Sequence, residues 1–147
     1  MPDDRSPLLA ALADLHPDLH TRAFWDACSR RELRVQRCSD CGRFRQPPLP
    51  GCPHCASARS DWPLLAGRGH VYSYTIVHHA ALPTLAGDLP YAVIVVELDD
   101  APGARLISNL IDTPLDAIRI GMAVELVWDE PRAGLVLPRF RAPRSRA

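Results

Sequence analysis

The sequence predicts a mainly β protein, with N-terminal helices, a small metal-held ribbon and then a five-stranded barrel. Three observations predict it. Cysteines pair as Cys38-x-x-Cys41 and Cys52-x-x-Cys55, with Gly42–Gly51 between the pairs. Downstream, short segments of β-branched and aromatic residues recur between glycine and proline turns. One short helical stretch, Thr113–Ile120, interrupts those segments after the third.

Leu8, Leu12 and Leu15 share a helical face, so a short helix is expected there, ended by Pro17. A second helix is expected from Asp18, its cap, to about Arg31, with Phe24 and Trp25 in its middle and Cys28 a turn on. Leu33–Arg37 then alternates as a strand entering the first cysteine pair.

Two cysteines two residues apart aim both sulfurs at one ion, and two such turns make a tetrahedral four-thiolate site, the geometry of structural zinc. Cys38, Cys41, Cys52 and Cys55 are the predicted ligands of one zinc per chain. Gly42 supplies a permissive backbone for the first turn. The spacer Arg43–Pro50 suits a short hairpin and is too proline-rich for a helix. Two disulfides, four free thiols, or a rubredoxin-like iron site share the spacing. A closed four-sulfur shell leaves no position for water or substrate, so the ion is expected to be structural.

Beyond the ribbon, Trp62–Ala66 reads as an edge strand and Gly67-Arg68-Gly69 as a bend or bulge. Strands are expected at His70–His78, Tyr91–Leu98, Arg105–Leu110, Met122–Trp128 and Leu135–Phe140, with a loop at Ala80–Pro90 and a turn at Pro131–Gly134. Thr113 is placed as a helix cap with Pro114 in the first position. Five strands with a plugging helix after the third is the OB arrangement. The divisions are residues 1–32 helical, 33–61 ribbon, 62–142 barrel and 143–147 a disordered tail.

Net charge is zero over 147 residues, against a generic polyanion binder. Charge is uneven, however: seven arginines lie in Arg22–Arg45, and nine acids in Asp88–Glu130. An acidic barrel with few aromatics is poorly suited to nucleic acid, which remains the alternative reading of a ribbon joined to a barrel. No apolar run approaches a membrane span. Metal-type spacing and the odd thiol Cys28 suit a reducing cytoplasm.

Phe24-Trp25, Arg37-Cys38-x-x-Cys41-Gly42, Pro47-Pro48, Cys52-Pro53-His54-Cys55, Gly67-Arg68-Gly69-x-Val71-Tyr72-Ser73-Tyr74-Thr75 and Pro90-Tyr91 occur in this order. Together they resemble the zinc-ribbon/OB-fold, acyl-CoA-associated family once catalogued only as a domain of unknown function. The resemblance runs from Asp18 to Phe140; Ala56 departs from it, standing where glycine is common. It implies a non-catalytic accessory subunit. Its expected partner is a thiolase-fold thiolase, acyltransferase or aldolase, with a hot-dog-fold hydratase as a further partner. The partner holds the catalytic residues and shares a CoA thioester with this chain.

The residues themselves offer no convincing catalytic set. His16, His20, His54, His70, His78 and His79 are scattered, and Ser73 and Ser108 lack a glycine elbow. Arg30, Arg31, Arg34, Arg43 and Arg45 are candidate contacts for CoA phosphates or the partner, because guanidinium groups fork onto phosphate oxygens. Phe24 and Trp25 are candidates for the pantetheine or acyl arm, or for packing the helix onto the ribbon.

Overall fold

A computed structural model describes residues 16–144. The predicted helix on Leu8, Leu12 and Leu15 lies outside them, as do residues 145–147 of the predicted tail. Helix α1 spans Arg22–Ser29, shorter at its start than expected. Asp18 closes a separate turn first: its Oδ1 accepts from the backbone N–H groups of His20 and Thr21 at 2.9 and 2.7 Å. At the other end Arg31 adopts φ 59°. Arg31 N donates to Cys28 O and Glu32 N to Ala27 O, the paired bonds of a Schellman stop. Phe24, Ala27 and Cys28 recur at helical spacing and form the buried face.

Three very short strands make the ribbon: β1 (Gln36–Cys38), β2 (Phe44–Arg45) and β3 (Ser60–Asp61), in the order β2-β1-β3. Arg37 clamps the β1–β3 pair by a two-pronged bond to Asp61, at 3.0 and 2.7 Å. That guanidinium holds the Asp61 carboxyl below its usual range. The edge strand expected at Trp62–Ala66 is reduced to a single bridge, Leu64 opposite Arg34. Pro63 removes a ladder donor there.

The barrel comprises β4 (Arg68–Val77), β5 (Tyr91–Leu98), β6 (Arg105–Leu110), β7 (Ala123–Arg132) and β8 (Leu135–Arg141), closed in the order β4-β5-β6-β8-β7. This is the predicted OB arrangement. In β5 the alternation is complete: Ala92, Ile94, Val96 and Leu98 point inward. The expected helix at Thr113–Ile120 shrinks to a 3-10 turn at Leu115–Ala117, whose neighbour Ile118 is buried. Thr113 does not cap it; its Oγ1 accepts from Ala142 N and donates to Ile111 O. A second 3-10 turn, Pro83–Asp88, stands in the expected loop and tucks Leu85 inward. Strand β7 runs further than expected, through Pro131, with a register shift between Asp129 and Arg132 that absorbs the proline.

Both glycines flanking Arg68 are close-approach positions. A Cβ at Gly69 would meet Glu97 O and lie 2.7 Å from Val96 Cγ1; Gly67 has φ +75° and faces Leu126. One core joins all parts: Phe24, Cys28, Leu33, Val35 and Leu65 cluster with Ile94, Val124 and Phe140 of the barrel.

Candidate functional site: a four-thiolate centre and an apolar groove

Two equivalent turns build the thiolate centre. Gly42 N returns to Cys38 O at 3.0 Å, and Ala56 N to Cys52 O at 2.9 Å. All four sulfurs lie within 4.8 Å of one another. Cys38 and Cys55 Sγ are 3.6 Å apart, Cys41 and Cys52 Sγ 3.5 Å. A tetrahedron with zinc–sulfur bonds of about 2.3 Å has sulfur–sulfur edges of roughly 3.8 Å. A disulfide needs about 2.05 Å, so the separations fit one ion and not two crosslinks. Backbone donors favour the Cys38 and Cys52 thiolates. The Cys41 N–H, 3.5 Å from Cys38 Sγ, pulls the Cys38 thiol down to about 6. The His54 N–H lowers Cys52. The His54 ring itself points outward and accepts from Arg43 Nη1.

The sequence departure at Ala56 has a structural meaning. Gly42 takes φ 73° in the first turn and Ala56 takes φ 60° in the second. A Cβ in that left-handed region is strained, whereas glycine is not. Ala56→Gly is therefore expected to stabilise the fold by roughly 0.5–1 kcal/mol after the added freedom of the unfolded chain is subtracted. Denaturant unfolding of the zinc-loaded protein measures it, and an unchanged or lower midpoint contradicts it.

The predicted arginine patch is dispersed. Arg30 bonds Asp26 O and Glu32, and Arg31 crosses to Glu130 of β7 at 2.8 Å. Arg34 is held by Glu32 and Trp62 O. Arg43 is exposed beside His54. Arg45 turns inward, only 7% exposed, onto Gln36 Oε1 at 2.7 Å. Phe24 sits in the core and touches Trp25 edge-on, with ring centroids 5.1 Å apart.

Trp25 marks a second feature, a groove of about 380 Å³ between α1, the Gln46–Pro48 turn, β6 and β8. Trp25, Pro47 and Pro48 line one side, and Ile107, Leu137 and Pro138 are among the other lining residues. Arg139 lines it too, 6% exposed, held by Asp129 at 3.0 Å and by Asn109. Gln46 Oε1 is buried and has no hydrogen-bond partner. Sequence reasoning flagged Phe24-Trp25 and Pro47-Pro48 but missed Gln46, Ile107, Asn109 and Arg139. These come from separate elements and share no local pattern.

Among the described residues, the other candidate groups singled out from the sequence are shielded, engaged or exposed on loops. Cys28 is fully buried, and burial pushes its thiol up to about 12. Ser108 Oγ donates to Pro138 O. His70 pairs with Asp99 on the surface, and His78 and His79 lie in an exposed loop.

Comparison with known proteins gives two family matches: "ChsH2, rubredoxin-like zinc ribbon domain" over residues 25–61 and "ChsH2, C-terminal OB-fold domain" over residues 62–129. The structure is similar to a chain of the solved "Ltp2-ChsH2(DUF35) aldolase", with TM-score 0.78 and 41% identity, covering 87% of this chain and 98% of that one. A "Probable enoyl-CoA hydratase alpha subunit" of Thermomonospora curvata is 47% identical over 120 residues, 81% of this chain and 36% of its own length. The "3-oxo-4,17-pregnadiene-20-carboxyl-CoA hydratase alpha subunit" of Mycobacterium tuberculosis is 33% identical over 129 residues, 87% of this chain and 39% of its own. The chain thus spans little more than a third of those two relatives.

Proposed function

The chain belongs to the ChsH2/DUF35 family of zinc-ribbon/OB-fold proteins, and on that footing we propose that it is a non-catalytic accessory subunit. Its partner is a thiolase-fold enzyme, an aldolase first, and the complex makes or breaks a carbon–carbon bond on an acyl-CoA. The observation that carries the reading is the near-complete match, at 41% identity, to one chain of a two-component aldolase. The geometry supports it. The four sulfurs close a single ion's shell, which leaves no coordination position for a substrate. The buried Cys28 thiol is neutral and shielded, so it is no nucleophile.

What the chain offers instead is surface. Exposed Arg30, Arg31 and Arg43 are the arginines best placed to reach CoA phosphates, while Arg34 and Arg45 serve the chain's own backbone. Trp25 is open along one side for an acyl or pantetheine arm. The hydratase names of two relatives favour a second reading, in which the same surface serves a hydratase.

The test is co-expression with a thiolase-fold aldolase chain. Acyl-CoA cleavage is expected only when both chains are present, in a complex that survives gel filtration. Full turnover by the partner alone, or turnover by this chain alone, would overturn the reading. Dehydration or hydration of an enoyl-CoA, in place of carbon–carbon cleavage, would favour the hydratase partner.

A further inference from the structure

Each half of the four-thiolate centre buries its first cysteine and exposes its second. Cys38 ends β1, where alternation turns it inward, and it is 1% exposed. Cys52 is 4% exposed, and its N–H is tied to Ser57 O at 2.8 Å. Cys41 and Cys55 are exposed instead, and so are their neighbours at positions 39–43 and 53–56. One side of the centre therefore opens to solvent along the tips of both turns.

Two short sulfur contacts cross between the turns. Cys55 Sγ lies 3.6 Å from Cys38 Sγ, and Cys41 Sγ lies 3.5 Å from Cys52 Sγ. Each contact joins an exposed cysteine to a buried one. Either pair needs to close by only about 1.5 Å to reach the length of a disulfide. A two-step oxidation needs this arrangement: one thiolate that an oxidant can reach, and a second, shielded thiolate close behind it. The fifth thiol stands apart, because Cys28 is fully buried in the core shared by helix and barrel.

We infer that the centre is a peroxide-sensitive zinc switch, with Cys41 and Cys55 as the sites of attack and Cys52 and Cys38 as their respective resolving partners. A hydroperoxide, hydrogen peroxide in the simplest case, is the oxidant. The exposed thiolate attacks one peroxide oxygen, the O–O bond breaks and hydroxide leaves, so the sulfur becomes a sulfenic acid. The buried thiolate attacks that sulfur, the S–O bond breaks, a second hydroxide leaves and a disulfide forms. Over both pairs, four thiolates give four electrons to two peroxides. Four protons from the medium turn the four hydroxides into water. The zinc ion departs, because no thiolate is left to hold it.

The experiment uses the zinc-loaded full chain and hydrogen peroxide, with a colorimetric chelator reporting free zinc. Dimedone, which traps sulfenic acids, is added in one arm, and peptide mapping locates its adducts and the disulfides. Zinc is expected to leave at least about tenfold faster with peroxide than without it. Dimedone is expected on Cys41 and Cys55. Without dimedone, the expected products are the Cys38–Cys55 and Cys41–Cys52 disulfides, with Cys28 still a free thiol. The Gly42 and Ala56 amides close the two turns onto Cys38 O and Cys52 O. In the oxidised chain they are expected to exchange at least about tenfold faster. A dithiol reductant followed by zinc is expected to restore zinc content and exchange.

Zinc retained through a peroxide dose that oxidises free cysteine would overturn the switch, as would turn amides that exchange alike before and after oxidation. Dimedone on Cys38 or Cys52, or disulfides formed within a turn, would overturn the assigned roles. Oxidation to sulfinic or sulfonic acid, which the reductant cannot reverse, would make the event damage and overturn the switch as well. None of these outcomes bears on the accessory-subunit reading, which co-expression tests separately.

Discussion

A Cys41→Ser chain is expected to lose its zinc, unfold the ribbon and fail to bind its partner. The ribbon cannot hold itself together otherwise. Its strands have three, two and two residues, below what an isolated sheet needs in water. Zinc binding supplies roughly 10–16 kcal/mol in comparable small modules. No other ribbon interaction is of that size: the exposed Arg37–Asp61 and Arg59–Asp40 pairs sit in water and contribute little. Serine is a poor zinc ligand, so only three thiolates would be left to hold the ion. The damage would spread, because Leu33 and Val35 lead directly from the barrel-facing core into β1. Metal analysis, exchange across residues 36–61 and co-purification with the partner measure it. Retention of one zinc per chain with normal complex formation would sink the idea. Wild-type protein with a visible absorption band would point to iron in place of zinc.

The metal centre was legible because its ligands are local. Each cysteine pair lies within one turn, so spacing alone places two sulfurs on one ion. The barrel was legible because alternation is a local pattern too, complete in β5. Charge was different. Arg31 finds Glu130 across ninety-nine positions, and Arg45 turns inward to Gln36. A run of arginines states how much charge there is but not what neutralises it. The groove was hidden for the same reason, since α1, the Gln46–Pro48 turn, β6 and β8 meet only in three dimensions. The shortened helix after Pro114 is a further case. Thr113 fits a cap by residue type, yet the C-terminal end of the barrel claims its hydroxyl through Ala142 N.

Phe140→Ala is expected to cost about 3–5 kcal/mol, the range for a large buried aromatic cut back in a core that cannot fully collapse. Phe140 is wholly buried and lies opposite Leu126 on β7 and beside Leu110 on β6. Its carbonyl accepts from Ile111 N at 2.8 Å, at the one position where β6 and β8 pair. The ring thus fills the interior at the point where the barrel is closed. Against a total stability of about 5–15 kcal/mol for a typical domain, that loss approaches unfolding. Denaturant unfolding with the zinc retained would measure it, and a loss below about 1 kcal/mol would contradict it. Truncating an exposed side chain such as Ile107 shifts stability by only about 0.5 kcal/mol. Phe140→Ala should therefore weaken partner binding only as far as it unfolds the barrel.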